Sequence, residues 1–483
     1  MIQLATVYAS VLVAAASLAK AAEVPGRPPS IGQSLPNSTA LQKTWSLSDE
    51  RINYLLAGDA CGAIGLKETL DGRKRFGVRG WKKQEQIFRW PVQSSLAGTC
   101  QLSLLVSAPT ETRLVLQSNA ETKELVVNES GWCRIPATLT LGKGADLIQL
   151  GLKDGFSGGK DAGVMSIEVI TEKFRPVYER QLADLKASRG DCACFQNVGF
   201  GLMFQWGNWG YPRTGERKSP WQRIYQEFDI EAFANKMKAL NPGYIVWSVT
   251  WRGSRFSAPL KLVEQIMGSK DYTLEYDFLG RLADALGKRG IPMFLYYHPG
   301  ADEPAFWAKM WHGQDNRQPW EDANVAIWTE IGNRLGDKLA GWFIDAGMVQ
   351  HYPADFYRYK QALRAGNPKR LTTFNPWRFP TVSPYDDMSF GEDKAPGQTK
   401  DGVFVNGPTE GLMAHTMRIL DGPGWGVFKQ NTVIKPPFAD TAKLQKMVDD
   451  AKKEKHPISF CIMMYEDGTL GEKTEAVLKQ LKR

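Results

Sequence analysis

From residue 45 to about 173 the chain alternates apolar and polar positions with a period of two, in short bursts. QLSLLVSAP, TRLVLQS, KELVVN, ATLTL, DLIQLGLKD and VMSIEVIT follow one another, separated by Gly, Asn, Ser and Asp. Successive strand side chains point to opposite faces, so each burst predicts a strand with one buried face. Many such strands without a helical period predict an antiparallel β-sandwich. A charged helical connector, FRPVYERQLADLKASRG at 174–190, ends this pattern. Beyond it, apolar runs (FGLMFQW, YIVWSVTW, IPMFLYY, LAGWFI, RLTTF) alternate with amphipathic stretches (DIEAFANKMKALNPG, YDFLGRLADALGKRG, VAIWTEIGNRLGDK, FYRYKQALRAGNP). Strands apolar on both faces and joined by helices predict a parallel sheet covered on both sides. The remaining length of roughly 290 residues suits a (β/α)8 TIM-like barrel. A doubly wound sheet would require a glycine-rich first turn, which GLMFQWGNWG is not. The expected architecture is therefore multidomain, with a β-sandwich over 45–173 followed by a barrel over 190–483.

One buried run ends in an acid. In LAGWFIDAG, Asp345 closes six apolar positions and precedes Ala346-Gly347. Burying an unpaired carboxylate costs several kcal/mol, so the position asks for a reason. Asp345 either caps the following turn, as Asp commonly does, or stands at the C-terminal rim of a barrel, where such folds keep their chemistry. Gln205 and Trp206, Trp251 and Arg252, His298, and Asn375 and Trp377 also fall at successive strand ends. Stability alone does not require a polar and aromatic rim of this kind. These residues are the candidate substrate-binding set.

Composition narrows the function classes. A hydrophobic content of 43% with 23% charged residues is globular, neither disordered nor membrane-like. Leu4 to Leu18 form an apolar run too short to span a bilayer, and Ala19-Lys20-Ala21 fits a small-residue cleavage site. Residues 1–21 are thus expected to be a signal peptide, and the protein to be secreted or periplasmic. The net charge of +8 is dispersed, without the basic aromatic clusters of nucleic-acid binders. The sixteen Trp suit a carbohydrate-binding cleft, although most Trp in any protein is core. The five His include no H-x-H or H-E-x-x-H spacing, so no metal and no cofactor is expected. Six cysteines in an exported chain permit disulfides, but their connectivity cannot be deduced from spacing.

From residue 199 onward the chain resembles the α-L-fucosidase family of glycoside hydrolases (family 29). The family's first strand, F-G-x-F-x-H-W-G, compares with FGLMFQWGNWG, and its first helix and second strand with FDIEAFANKMKALNPGYIV. L-Y-Y-S compares with FLYYHPG, W-F-D-G with WFIDAG, W-G-Y with WGVF at Trp425–Phe428, and N-I-G-P-x-x-D-G-T with MMYEDGTLGEKTEAVLKQLK. The sandwich resembles galactose-binding-like modules appended to polysaccharide enzymes, and it either binds sugar or only packs on its neighbour. The resemblance implies a retaining glycosidase. Asp345 would be the nucleophile, and Glu392 in SPYDDMSFGEDK the acid/base, unless that acid-rich stretch is only a surface loop. Trp425 would contact substrate. Gln205, Trp251 and Arg252 stand where the family pattern has sugar-binding histidines, so a sugar other than plain fucose, either anionic, facing Arg252, or otherwise different, is expected. The alternative is a catalytically inactive barrel that binds glycan.

Overall fold

The structure is a computed structural model and describes residues 44–62, 66–68, 78–190, 192–251, 255–299, 318–345, 355–375, 385–392, 397–407, 409–422 and 424–483. The leader expected at 1–21, Arg252 and Trp377 lie outside the described residues.

The N-terminal part holds two sheets. One runs in the order Trp45–Ser46, Phe88–Ser94, Gly144–Leu152, Arg113–Gln117, Thr122–Val126. The other runs Lys67–Glu68, Val78–Trp81, Ala162–Ile170, Gly98–Ala108, Gly131–Leu141, with Asn53–Leu56 also paired to Ala162–Ile170. The period-two pattern is carried by particular side chains: Phe88, Trp90, Val92 and Ser94 are buried while the residues between them are not. Phe88, Trp90 and Val92 share one apolar core with Trp81, Leu102, Leu104 and Val164 from the other sheet. Ala162–Ile170 departs from alternation and is buried at all nine positions. Its Val164, Ile167 and Val169 face that core. Its Met165 and Ile170 pack instead into the core of the following domain, together with Leu185 and Phe374. The cysteines Cys61, Cys100, Cys133 and Cys461 are free. Cys100 and Cys133 lie on neighbouring strands but out of register, opposite Leu139 and Val106.

After the helix Arg175–Ala187 comes a curled, barrel-like sheet of seven strands, all parallel. Its order is Leu371–Phe374, Leu339–Ile344, Met293–Tyr297, Ile245–Thr250, Phe200–Phe204, Ile458–Cys461, Thr416–Ile419. Helices Ile230–Leu240, Phe278–Gly287, Phe356–Leu363 and Thr441–Lys453 each begin at an Asp (Asp229, Asp277, Asp355, Asp440). Each of these carboxylates accepts from the N–H three residues on. Such caps are typically worth about 1 kcal/mol each and fix where each helix begins. Along the strands the side chains divide. Met203, Val246, Phe294, Tyr296, Phe343 and Cys461 fill the concave interior. Phe204, Trp247, Leu295, Tyr297, Trp342 and Ile344 face the helices. Outward Tyr297 donates to Asn324, and outward Trp342 to the Leu363 carbonyl, so both polar tips reach the helical layer. No helix among the described residues is long and apolar enough to cross a membrane.

The two edges of the sheet bond to one irregular segment. The Asp387 N–H donates to the Thr372 carbonyl (2.9 Å), and the Met417 N–H to the Gly391 carbonyl (2.7 Å). Met388 and Phe390 turn into the interior core. Asp387 holds the segment in place. Its buried carboxylate accepts from the Thr372 N–H (2.8 Å) and the Gly190 N–H (3.2 Å), and it pairs with Lys360 (2.7 Å) and Arg364 (3.1 Å). Burial alone would raise the Asp387 carboxyl, but the Lys360 and Arg364 charges outweigh it and hold the group below its ordinary value. Burial pulls Lys360 down to about 8, which still leaves it charged at neutral pH.

Asp387→Asn leaves two buried cations without a counter-charge. We expect a loss of about 3–5 kcal/mol at pH 7, read from urea unfolding. A carboxyl depressed in the fold contributes fully above its unfolded pKa and loses that contribution as pH falls through the folded one. The gap between parent and variant therefore narrows toward acid pH.

Candidate active site

All seven strands being parallel, their C-terminal ends lie together at one side of the sheet. The interior face continues past each strand with a step of two. Phe343 leads to Asp345, Phe294 and Tyr296 lead to His298, Met203 leads to Gln205, and Asn375 follows Thr373. The Asn375 N–H donates to the Ile344 carbonyl and the Asp345 N–H to the Tyr297 carbonyl, so ladder bonding extends beyond the strands and holds both side chains over the interior.

The Asn375 side-chain amide donates to two carboxylates, Asp345 Oδ1 at 2.8 Å and Glu392 Oε2 at 2.5 Å. The Tyr296 hydroxyl donates to Asp345 Oδ2. Both Asp345 oxygens thus have a donor of fixed direction. Tyr296 is buried, and burial, followed by the charges of Asp345 and Glu392, pushes its hydroxyl well above the ordinary tyrosine value. It remains a proton donor across the physiological range. Behind it, Gln205 accepts from Ser248 Oγ at 2.6 Å through Oε1, and its side chain lies beside the Tyr296 hydroxyl. Gln205 is 5% exposed, so it positions Tyr296 from inside the sheet.

Glu392 owes its place to a second buried chain. The Phe390 carbonyl accepts from His415 Nδ1 at 2.6 Å, and a carbonyl can only accept, so Nδ1 carries the proton. His415 Nε2 then accepts from Ser459 Oγ (2.8 Å), whose oxygen takes the Tyr244 hydroxyl proton (2.7 Å). Burial keeps His415 neutral, down to about 3. Gly391 makes the turn to Glu392 at φ +88°, and a Cβ there would come within 2.5 Å of His415 Nδ1. Only glycine fits.

The structure brings Asp345, Glu392, Asn375 and Gln205 into one connected polar cluster. Trp251 borders it, its ring centroid 6.3 Å from Tyr296, 6.5 Å from His298 and 5.2 Å from Phe428. Trp425 packs against the same interior core, and its carbonyl lies 3.8 Å from the Cys461 sulfur. Trp206, expected at the rim, is not there. It lies one step out of phase on the helical face, 1% exposed, packed on Phe228 and Trp247, with Nε1 donating to the Tyr465 carbonyl at 3.0 Å. Of the acids in SPYDDMSFGEDK, Asp387 is structural and Asp386 is buried, accepting from the Phe374 N–H. The residue that sequence reasoning passed over is Tyr296, adjacent to the outward Tyr297. Its signal was the two-residue step to His298. Among the described residues there is no cluster of groups that could hold a metal ion.

No protein-family model matches the chain, and no curated protein matches it. Among solved structures, it is similar to the α-L-fucosidase AlfC from Lactobacillus casei in complex with α-L-fucose, at 15% identity and a TM-score of 0.44, over 60% of this chain and 96% of that one. It is also similar to the endo-fucoidan hydrolase MfFcnA4 of glycoside hydrolase family 107, at 14% identity and a TM-score of 0.48, over 60% of this chain and 53% of that one. The endo-fucoidan hydrolase MfFcnA9 shows 13% identity and a TM-score of 0.48, with 63% of its chain covered.

Asn375→Asp replaces the shared donor by a third carboxylate beside Asp345 and Glu392. Like charges raise the folded pKa of the new group, so its penalty is absent at acid pH and grows as pH rises. Urea melts should match the parent at pH 4 and fall short of it by about 1–3 kcal/mol at pH 7.5.

Proposed function

We propose that the protein is a retaining glycoside hydrolase with Asp345 as nucleophile and Glu392 as acid/base. The observation that carries this reading is the single Asn375 amide bonded to both carboxylates. Their nearest oxygens can be no farther apart than those two bonds, 2.8 and 2.5 Å, laid end to end. Retaining enzymes hold their carboxyl groups about 5–5.5 Å apart, whereas inverting ones leave about 6.5–9.5 Å for a water. Asp345 Oδ1 or Oδ2 would attack the anomeric carbon while protonated Glu392 gives its proton to the departing oxygen. Water would then cleave the glycosyl ester, with Glu392 taking back a proton. Tyr296 and Asn375 would orient the nucleophile and stabilise its charge.

The wider reading is a (β/α)8 barrel in which the segment 385–392 serves as the sixth strand, with an N-terminal β-sandwich of carbohydrate-binding type, in an exported enzyme. Trp251, His298 and Trp425 are the proposed sugar-contacting rim. Gln205 is engaged by Ser248 and Tyr296, and Trp251 presents a ring, so neither supplies the hydrogen bonds of the histidines that the fucosidase pattern has there. A site built around specific hydroxyls rejects a sugar that does not match its polar groups. The expected substrate is therefore an oligo- or polysaccharide, with plain aryl α-L-fucoside a poor one. Fucosides and fucoidan, the substrates named for the similar structures, are the first to try.

Asp345→Asn should lower kcat by at least about a thousandfold, and Glu392→Gln by about 10²–10⁴-fold, with melting temperatures near that of the parent. The product anomer, followed by proton NMR as it forms, should keep the configuration of the substrate. An inverted anomer, or full activity per folded molecule in Asp345→Asn, would remove this assignment.

A further inference from the structure

Beyond the carboxylates, a cavity of about 580 Å³ opens beside the end of the strand Phe200–Phe204. That volume is within the usual range of small-molecule sites, roughly 300–1,000 Å³. Asn208, Tyr211, Arg217, Lys218, Trp221 and Arg255 line it. The cavity connects to the candidate active site through a relay of aromatic rings. Trp209, next to Asn208, donates its indole N–H to the Gln205 carbonyl at 3.2 Å, and its ring lies 6.1 Å from Trp251, which in turn lies 6.3 Å from Tyr296.

The lining has three kinds of group. The first is aromatic: the faces of Tyr211 and Trp221 lie under the guanidinium groups of Arg217 (4.7 Å) and Arg255 (5.7 Å). The second is cationic. The Lys218 ammonium is matched by Glu227 at 3.1 Å, while Arg217 hydrogen-bonds only the Asn208 carbonyl among the described residues and has the Glu466 carboxylate as a charged neighbour without a direct ion pair. Glu216 is the one carboxylate among the lining residues, set against two arginines. The third is a buried acceptor. Asn208 is 6% exposed, and its Oδ1 has no hydrogen-bond partner among the described residues. A buried amide oxygen left unmatched costs about 1–3 kcal/mol. A planar guanidinium held against an aromatic ring suits a sulfate or carboxylate oxygen pair carried by a sugar.

We infer that this cavity is a second saccharide subsite, taking a negatively charged sugar unit of the same chain whose bond is cleaved between Asp345 and Glu392. This inference rests on the hydrolytic reading and deepens it by naming an anionic glycan. The charge has two chemical sources, a sulfate ester or a uronic carboxylate, and both present the same paired oxygens.

The test uses the full chain carrying Asp345→Asn, which holds a glycan uncut, and affinity electrophoresis against dextran sulfate, neutral dextran and polygalacturonate. Arg217→Glu is the probe variant. Lys446→Glu, on the exposed face of the helix Thr441–Lys453, makes the same change in net charge elsewhere. Arg217→Glu should weaken binding of at least one anionic polymer by about tenfold, and Lys446→Glu by less than about twofold, with neutral dextran unaffected by either. The polymer that responds identifies the source of charge. Equal losses in the two variants would mean a diffuse basic field only and would overturn the subsite, as would unchanged binding in Arg217→Glu. If Arg217-dependent binding is found while the unmutated enzyme cleaves no glycan, the subsite stands and the hydrolytic assignment falls. Hydrolysis with KM and binding both indifferent to Arg217→Glu leaves the hydrolase and removes the subsite.

Discussion

The buried carboxylate of Asp387 joins its own segment to the edge strand, to the end of the connector and to the helix Phe356–Leu363. It accepts from the edge strand through Thr372 and from the end of the connector through Gly190, and it pairs with Lys360 of the helix Phe356–Leu363 and with Arg364 at its end. Five residues later the same segment carries Glu392. An ion pair at this depth is a weak source of stability, because desolvation offsets much of the attraction, but it is intolerant of losing one member. Its value here is positional. The clamp sets where residues 385–392 run along the edge strand Leu371–Phe374.

Glu392 is therefore located from two sides, by Asp387 before it and by the Tyr244–Ser459–His415 chain bonded to the Phe390 carbonyl. Asp345 is located differently, by strand geometry and by donors already fixed to strands, Tyr296 and Asn375. Two carboxylates brought this close repel one another, and the shared amide lessens that repulsion without neutralising either. The same cluster accounts for the burial of Gln205: it accepts from Ser248 and lies beside Tyr296, and Tyr296 bonds Asp345.

Much of the architecture was legible in the chain. The bursts at 101–171 are strands, the apolar runs from Phe200 to Phe374 are strands of one parallel sheet, and four of the helices begin at an Asp visible in the sequence. Asp345 and Asn375 could be picked out because a polar residue at the end of a doubly buried strand is rare. Trp206 and Tyr296 could not be placed. In FGLMFQW and MFLYY both faces are apolar, so the pattern has no phase, and nothing in it tells which neighbour points inward. The acids of SPYDDMSFGEDK posed the same problem, with four carboxylates in eight residues and no local feature to separate them.

What the sequence by itself determined was the kind of each element and its order, since both follow from periodicity and caps within a few residues. Tertiary structure decided phase and partnership. Whether Gln205 or Trp206 faces the interior depends on helices packed over the outer face, at Phe228 and Phe278. Whether Asp387 or Glu392 is the structural carboxylate depends on Lys360 and Arg364, cations that lie 27 and 23 residues earlier in the chain for Asp387. A carboxylate's role is set by which charges and donors surround it once folded, and no spacing along the chain records that neighbourhood.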